Sequence, residues 1–344
     1  MKNHPFTSVS FRRFLLRIFG FGLFCPLFVA GVSMGIDPYN VFHAASIRDN
    51  GVEAPKNYVK MKYILSHPDK FDSYVFGSSR VGAIFTKNMK GLHCYNMTYS
   101  MGLPTDHYRN LQTMIEHGIR PKKVFIGVDS LTYTMDPAIH KDYLYQYSYE
   151  MSKDDPLEFW KPYFDASMAF DSLSTTLAYK PKENYVSDFY QYGCFAFNYK
   201  RPKNLKYLKE GAFVGNADFR ADVLLDIEKI GRLCEDNQIE LVFFTNPMHH
   251  LTFEASIDQH WYDFVRELAR RTDFVNFAGL NDVTEDDYNY NDTSHYVAQV
   301  GDLMIGRLLE GRDTQSEFGE SFGFAVNKEN VEELINVWEE ERAK

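Results

Sequence analysis

Three side chains carry the chemistry this sequence can do. Ser79 stands just past a short apolar run, Tyr74-Val75-Phe76, that Gly77 closes. Asp292 and His295 stand three residues apart, far downstream, in Asn291-Asp292-Thr293-Ser294-His295-Tyr296. A serine hydroxyl is a weak nucleophile at its free pKa and needs an adjacent base. Histidine serves when a carboxylate on its other ring nitrogen fixes the tautomer. Asp-x-x-His supplies both partners from one tight loop. The plain alternative for Gly77-Ser78-Ser79 is a turn made of small residues. The stretch Gly77 to Val81 lacks the last glycine of G-x-S-x-G, so it does not encode a nucleophile elbow of the α/β-hydrolase kind.

The elements that must position these groups follow from periodicity. Tyr74 to Phe76 is aromatic and β-branched, which predicts a buried strand. Further strands are predicted at His93–Met97, Lys123–Val128, Glu240–Thr245 and Asp273–Phe277, the last of the sheet. Helical spacing is predicted over Tyr58–Leu65, Thr105–Gly118, Val223–Cys234, Ile257–Arg270 and Tyr296–Leu309. Alternation of this kind predicts an α/β fold with a parallel sheet. In such sheets ligands bind beyond the carboxyl ends of the strands. Ser79 lies at that edge, as do Asn96, Gly102, Asp129, and the pair His249 and His250. Asn96 also fits an ordinary turn-former, and the two histidines fit either a substrate contact or a polar loop. His249, His250 and His295 have neither cysteine partners nor helical His-x-x-x-His spacing, so no zinc site is expected. No cofactor-binding motif is present.

Taken together, Gly77-Ser78-Ser79-Arg80 and Asp292-Thr293-Ser294-His295 resemble the SGNH (GDSL-like) hydrolase superfamily. The likeness is greatest to its membrane-anchored envelope branch, the DltD-like proteins of teichoic acid modification and the alginate O-acetylation proteins. It runs from about Asp37 to Gly311. The resemblance implies a three-layer α/β/α, flavodoxin-like fold and a Ser-His-Asp site that hydrolyses or transfers acyl groups. Ser79 matches the nucleophile, and Ser78 stands where many relatives have Asp. A family glycine after the second strand lends its N–H to the oxyanion hole, and Gly102 matches it. With the N–H of Ser79, and Asn96 on the same edge, it makes up the expected hole. Many relatives have Asn where this chain has Asp129, and that Asn donates to the oxyanion. An ionised Asp only accepts. Either Asp129 pairs with Arg80 or another cation, or the hole relies on backbone N–H groups. Loss of one donor costs on the order of 10²–10³ in rate.

Lys2, Arg12, Arg13 and Arg17 precede an uncharged run from Ile18 to Ile36. Its length is close to the ~20 apolar residues that a membrane helix needs. The positive flank predicts a cytoplasmic segment 1–17, a signal anchor 18–36 and a chain continuing on the far side. A cleaved signal peptide is the rival, but no clear small-x-small site follows. A buried helix of a soluble protein is the other alternative. The remainder divides into a catalytic domain, 37–311, carrying an insertion at 131–218, and a charged tail, 312–344, read as a surface helix. In the insertion, Tyr143, Tyr145, Tyr147 and Tyr149 alternate, which puts them on one face of an extended segment. A second aromatic cluster runs from Tyr185 to Tyr199. These rings either pack the insertion down or form a substrate cap.

Composition sets the outer limits. The chain has 344 residues, 44% of them hydrophobic and 16% aromatic, as in a globular protein. Its net charge of -10 argues against a nucleic-acid partner. Cys25, Cys94, Cys194 and Cys234 show no metal spacing, and an odd number lies outside the apolar run, so a disulfide framework is not expected. The sequence thus predicts a single-pass membrane protein with an extracytoplasmic serine esterase or O-acyltransferase domain. The apolar run implies the bilayer as a partner, and the resemblance implies an acylated carbohydrate or other ester substrate and a membrane-bound acyltransferase. Two rivals stand beside this reading: a degenerate domain serving as a scaffold in an envelope assembly, and an esterase of small or lipid esters.

Overall fold

Short β-branched and aromatic runs, each closed by a polar or glycine turn, form the strands of the sheet. A computed structural model describes residues 8–42, 50–135, 147–180, 185–188, 193–197, 221–257 and 260–344. The strands in chain order are β1 (Ser73–Phe76), β2 (Cys94–Asn96), β3 (Lys123–Val128), β4 (Tyr185–Asp188), β5 (Cys194–Phe197), β6 (Glu240–Thr245), β7 (Phe274–Asn276) and β8 (Phe324–Val326). Six of them make one sheet in the order β2-β1-β3-β6-β7-β8. The first five are parallel and β8 runs antiparallel on the edge. The order reverses between β1 and β3, the crevice where doubly wound sheets bind ligands. Ser79 follows β1 and Asp129 follows β3, so both stand at this point.

Register fixes which side chains share a face. Val75 pairs with Asn96 and Phe125, and Phe125 with Val242. Val75, Phe125 and Phe244 pack with Val300, Met304 and Ile305 of the helix Ala298–Glu310. On the opposite face, the Phe76 ring meets His107 of the helix Pro104–Glu116, with centroids 5.4 Å apart. That helix packs beside Ala221–Asp236. Burial on both faces explains why β3 is a continuous apolar run without alternation.

Two close approaches lock the site's supports. Gly301 lies so near the turn after β1 that a Cβ there would sit 2.2 Å from the Ala83 carbonyl oxygen. Lys60, fully buried, donates to the carbonyls of Asn96, Thr98 and Gly193 at 2.8, 2.8 and 2.7 Å. This joins the insertion to the end of β2, and β5 lies against the turn Ser79–Ala83.

The structure differs from the sequence reading at three places. The sheet does not end at β7: β8 extends it, and the tail closes the core. Trp338 is fully buried and donates from Nε1 to the Ala278 carbonyl at 2.9 Å. A strand of only three residues carries too little periodicity to be read beside a charged helix. The helix expected at Ile257–Arg270 is present but starts later, at Trp261–Ala269, and an additional helix, His250–Ile257, precedes it. The insertion is not one body. The chain forms two compact units, one of Met1–Ala54 with Glu150–Pro181, the other of Pro55–Tyr149 with Lys182–Lys344. Tyr143 and Tyr145, and the side chains between Tyr185 and Tyr199, lie outside the described residues.

In the first unit one helix spans Ser8–Ile36, starting earlier than the expected anchor. Its stretch Phe11–Ile36 is long and apolar enough to cross a membrane. The helix ends where Asp37 turns: its carboxylate accepts from the N–H groups of Val41 and Phe42, each at 3.0 Å, and from the Tyr163 hydroxyl at 3.1 Å.

Gly301→Ala is expected to destabilise the protein by about 1–3 kcal/mol through overpacking against fixed backbone. Gly231→Ala, on a helix position with nothing within 4 Å of a new Cβ, is expected to be stabilising by roughly 0.5–1 kcal/mol. Urea denaturation of both variants in detergent checks the pair.

Candidate active site at the carboxyl edge of the sheet

The turn after β1 decides between two adjacent serines. Gly77 takes φ +152, and a Cβ there would meet Val81 Cγ1 at 2.7 Å. The chain then enters a tight 3-10 turn, Ser79–Ala83. Ser78 points inward: it is buried, its Oγ accepts from Arg80 N–H at 3.4 Å and donates to Asp129 Oδ2 at 3.1 Å. Ser79 is half-buried, and its Oγ lies 2.8 Å from His295 Nε2.

The base comes from a loop that folds on itself. Asn291 N–H donates to the His295 carbonyl at 2.9 Å. Asp292 Oδ1 accepts from the N–H groups of Ser294 and His295 at 2.7 and 2.8 Å. The same carboxylate faces His295 Nδ1 at 2.9 and 3.0 Å. A carboxylate only accepts, so Nδ1 carries the proton and Nε2 is bare towards Ser79. Burial disfavours the charged form of Asp292. The hydrogen bonds from His295 and the two backbone N–H groups outweigh it and hold the carboxyl below its usual range. Ser79, His295 and Asp292 are thereby brought together in one hydrogen-bonded line, an arrangement that can act as a nucleophile, a base and its orienting group.

A buried polar network fixes this loop to the nucleophile turn. Arg80 is 1% exposed and Asp129 likewise 1%. Arg80 Nη1 lies 2.8 Å from Asp129 Oδ1, an ion pair rather than an aligned hydrogen bond. Arg80 Nε donates to the carbonyl and hydroxyl of Ser294 at 3.1 and 3.2 Å. Asp129 also accepts from Leu131 N–H and from Asn246 Nδ2, both at 2.9 Å. Asn246 Oδ1 in turn accepts from the Tyr296 hydroxyl at 3.1 Å. Burial pushes the Tyr296 phenol well up, keeping it a donor. The ends of β1, β3 and β6 and the Asp292–His295 loop are thus one connected system.

The expected oxyanion donors divide. Among the described residues the Ser79 N–H has no protein acceptor. Gly102 sits against the turn, where a Cβ would lie 2.4 Å from the Gly77 carbonyl, and its N–H makes one long bond, 3.3 Å, to Tyr99 O. Asn96 has no spare proton. Its Nδ2 donates to Val81 O and Ile84 O at 2.7 and 3.1 Å, and its Oδ1 accepts from Thr98 N–H at 2.9 Å. It braces the nucleophile turn, and its expected part in an oxyanion hole is not what the geometry gives.

His249 and His250 also sit on this edge. His249 is fully buried, with Nε2 3.0 Å from Asp287 Oδ1. Its Nδ1 accepts from Leu251 N–H at 3.3 Å, so the proton resides on Nε2 and is donated to Asp287. Burial lowers its pKa. His250 Nε2 lies 3.9 Å from the same oxygen. These three groups are close enough to share a cation. Thr252 and Tyr290 bind this loop to the site, through Thr293 O at 2.6 Å and Pro247 O at 3.0 Å. Asn246, Thr252, Tyr290 and Tyr296 were not singled out from sequence. Only Asn246, a polar residue directly after an apolar strand, carries a local signal. No protein-family model and no curated protein matches the chain.

Asp129→Ala strands a buried guanidinium and is expected to cost about 3–5 kcal/mol, whereas Ser79→Ala is expected to stay within about 1 kcal/mol; chemical denaturation compares them. The depressed Asp292 carboxyl contributes stability above the ordinary carboxylate pKa of about 4, lost as pH falls through the lower folded value. The Tm gap between wild type and Asp292→Asn is therefore expected to shrink below about pH 4, which thermal scans from pH 7 to pH 3 read directly.

Proposed function

We propose that this chain is a membrane-anchored serine esterase or O-acyltransferase of the SGNH type, acting on acyl esters of cell-envelope polysaccharide. The observation that carries the reading is the alignment of Ser79 Oγ, His295 Nε2 and Asp292, with the bare imidazole nitrogen 2.8 Å from a half-buried hydroxyl. The strand order, with both sheet faces covered by helices, is compatible with the three-layer fold of that superfamily. Ser79 attacks the acyl carbonyl while His295 Nε2 takes its proton. The imidazolium, steadied by Asp292, returns that proton to the departing alkoxide and leaves an acyl-serine. Water, or a carbohydrate hydroxyl, then attacks with His295 again as base. The first gives hydrolysis, the second transfer. Backbone N–H groups of Ser79 and Gly102 serve the oxyanion.

Anchoring through the helix Ser8–Ile36, with Arg12, Arg13 and Arg17 near its start, supports a catalytic domain on the extracytoplasmic side. The polysaccharide class rests on the family resemblance. One observation favours a second reading, a domain that binds but does not turn over. Asp129 is an acceptor and Asn96 is committed, so neither supplies a side-chain donor to an oxyanion.

The test is ester hydrolysis by the full chain in detergent, with 4-nitrophenyl acetate and with an acetylated oligosaccharide. Ser79→Ala and His295→Ala are each expected to lower kcat by roughly 10³-fold or more, while Ser78→Ala keeps most of it. Activity unchanged in Ser79→Ala overturns the assignment. A folded wild type inert on every ester supports the binding reading instead.

A further inference from the structure

The helix Ala166–Ala178 has three distinct sides. One is packed: Ala169, Ser172, Leu173 and Thr176 turn inward. They meet the last turns of the helix Ser8–Ile36, leaving an apolar notch of about 120 Å³ lined by Phe28, Val32, Ile36, Ala169, Phe170 and Leu173. Small residues permit this close approach. The hydroxyls on that side are satisfied within the helix, Ser172 on Ala169 O at 3.1 Å and Thr176 on Ser172 O at 2.8 Å. Adjacent to it runs a second side where Phe170 and Leu177, seven residues apart, are 70% and 78% exposed. The third side holds Ser167, Asp171, Ser174 and Thr175, all exposed. A helix with a lipid-type ridge next to a polar face is built to lie in a membrane interface.

Its position along the long helix agrees. The stretch Phe11–Ile36 has 26 residues, about 39 Å of helix, more than the ~30 Å of a hydrocarbon core. Within Phe11–Ile36 only Ala30 and Ser33 are buried, both near the end where Ala166–Ala178 packs. That end therefore reaches headgroup level. An aromatic cluster stands at the same end: Phe42 stacks on Trp160 at 5.3 Å, and Tyr163 meets Trp160 and Tyr39 at 5.6 Å each. Tyr and Trp favour that depth. Leu157 and Phe164, 86% and 43% exposed, flank it.

We infer that residues 150–180 form an interfacial foot. The Phe170–Leu177 ridge is immersed in the bilayer beside the spanning helix, and the Ser167/Asp171/Ser174/Thr175 side faces water. The occupant of the exposed ridge is lipid. The inference rests on the reading of Ser8–Ile36 as a membrane anchor.

The experiment places a benzoylphenylalanine photocrosslinker, one site at a time, in the full chain reconstituted in phosphatidylglycerol/phosphatidylethanolamine vesicles. Sites are Phe170, Leu177, Ser174, Thr175 and, within the anchor, Phe19. Phospholipid adducts are counted by intact mass. Adducts at Phe170 and Leu177 several-fold above those at Ser174 and Thr175 are expected, with Phe19 strongly labelled. Phe19 labelled but Phe170 and Leu177 no better than Ser174, or joined to protein instead, overturns the foot and leaves the anchor standing. No lipid adduct at Phe19 overturns the anchor and the foot with it.

Discussion

A buried ion pair, Arg80 with Asp129, is the constraint on which the site depends. Taking a guanidinium and a carboxylate out of water costs several kcal/mol per ion. That cost is offset in part by hydrogen bonds to the remaining donors and acceptors, on the Asp129 side more fully than on the guanidinium, whose two Nη atoms are buried without an aligned hydrogen bond. Here Asp129 holds four partners, on the Ser78 hydroxyl, Leu131 N–H, Asn246 amide and Arg80 guanidinium. Arg80 reaches on to Ser294, in the loop between Asp292 and His295. The pair therefore joins the residue beside Ser79 to the residue beside His295. Neither end can shift without exposing a charge in the core.

This arrangement gives a physical account of Asp129, which stands where the SGNH hydrolases that the sequence resembles often have Asn. An Asn there can lend a proton to an oxyanion. An Asp gives up that role and becomes an anchor for Arg80. The site then holds its geometry more firmly and has only backbone N–H groups for the developing charge. Under the proposed function, Ser79 and His295 are held more firmly while side-chain electrostatic stabilisation is reduced, and a slow or narrowly selective enzyme is the expected consequence.

Much of this was legible in the sequence. The six-residue β3 and β6 could be read from their apolar runs, and the Asp292–His295 spacing from the needs of an imidazole base. The choice of Ser79 over Ser78 rested on the family resemblance; in the fold the Ser78 hydroxyl is bonded to Asp129, while that of Ser79 faces His295. What the sequence did not reveal depends on distant partners. Asn96 looks like any strand-end amide until Val81 and Ile84 present their carbonyls to it. β8 and Trp338 belong to a charged tail whose one apolar side becomes visible only against Ala278. Asn246 follows an apolar strand, but its partner Tyr296 is fifty residues away, and no local pattern records that hydrogen bond. The division of the insertion between two units likewise follows from packing of Ala166–Ala178 on the N-terminal helix.

The most direct measurement is the reaction of the full-length protein in detergent with a small fluorophosphonate, followed by intact mass and peptide mapping. The proposed function predicts one stoichiometric adduct, on Ser79, formed at a rate that collapses in His295→Ala and persists in Ser78→Ala. An adduct on another residue, labelling of Ser79 that ignores His295, or no labelling of a folded wild type would contradict an activated serine at this edge of the sheet.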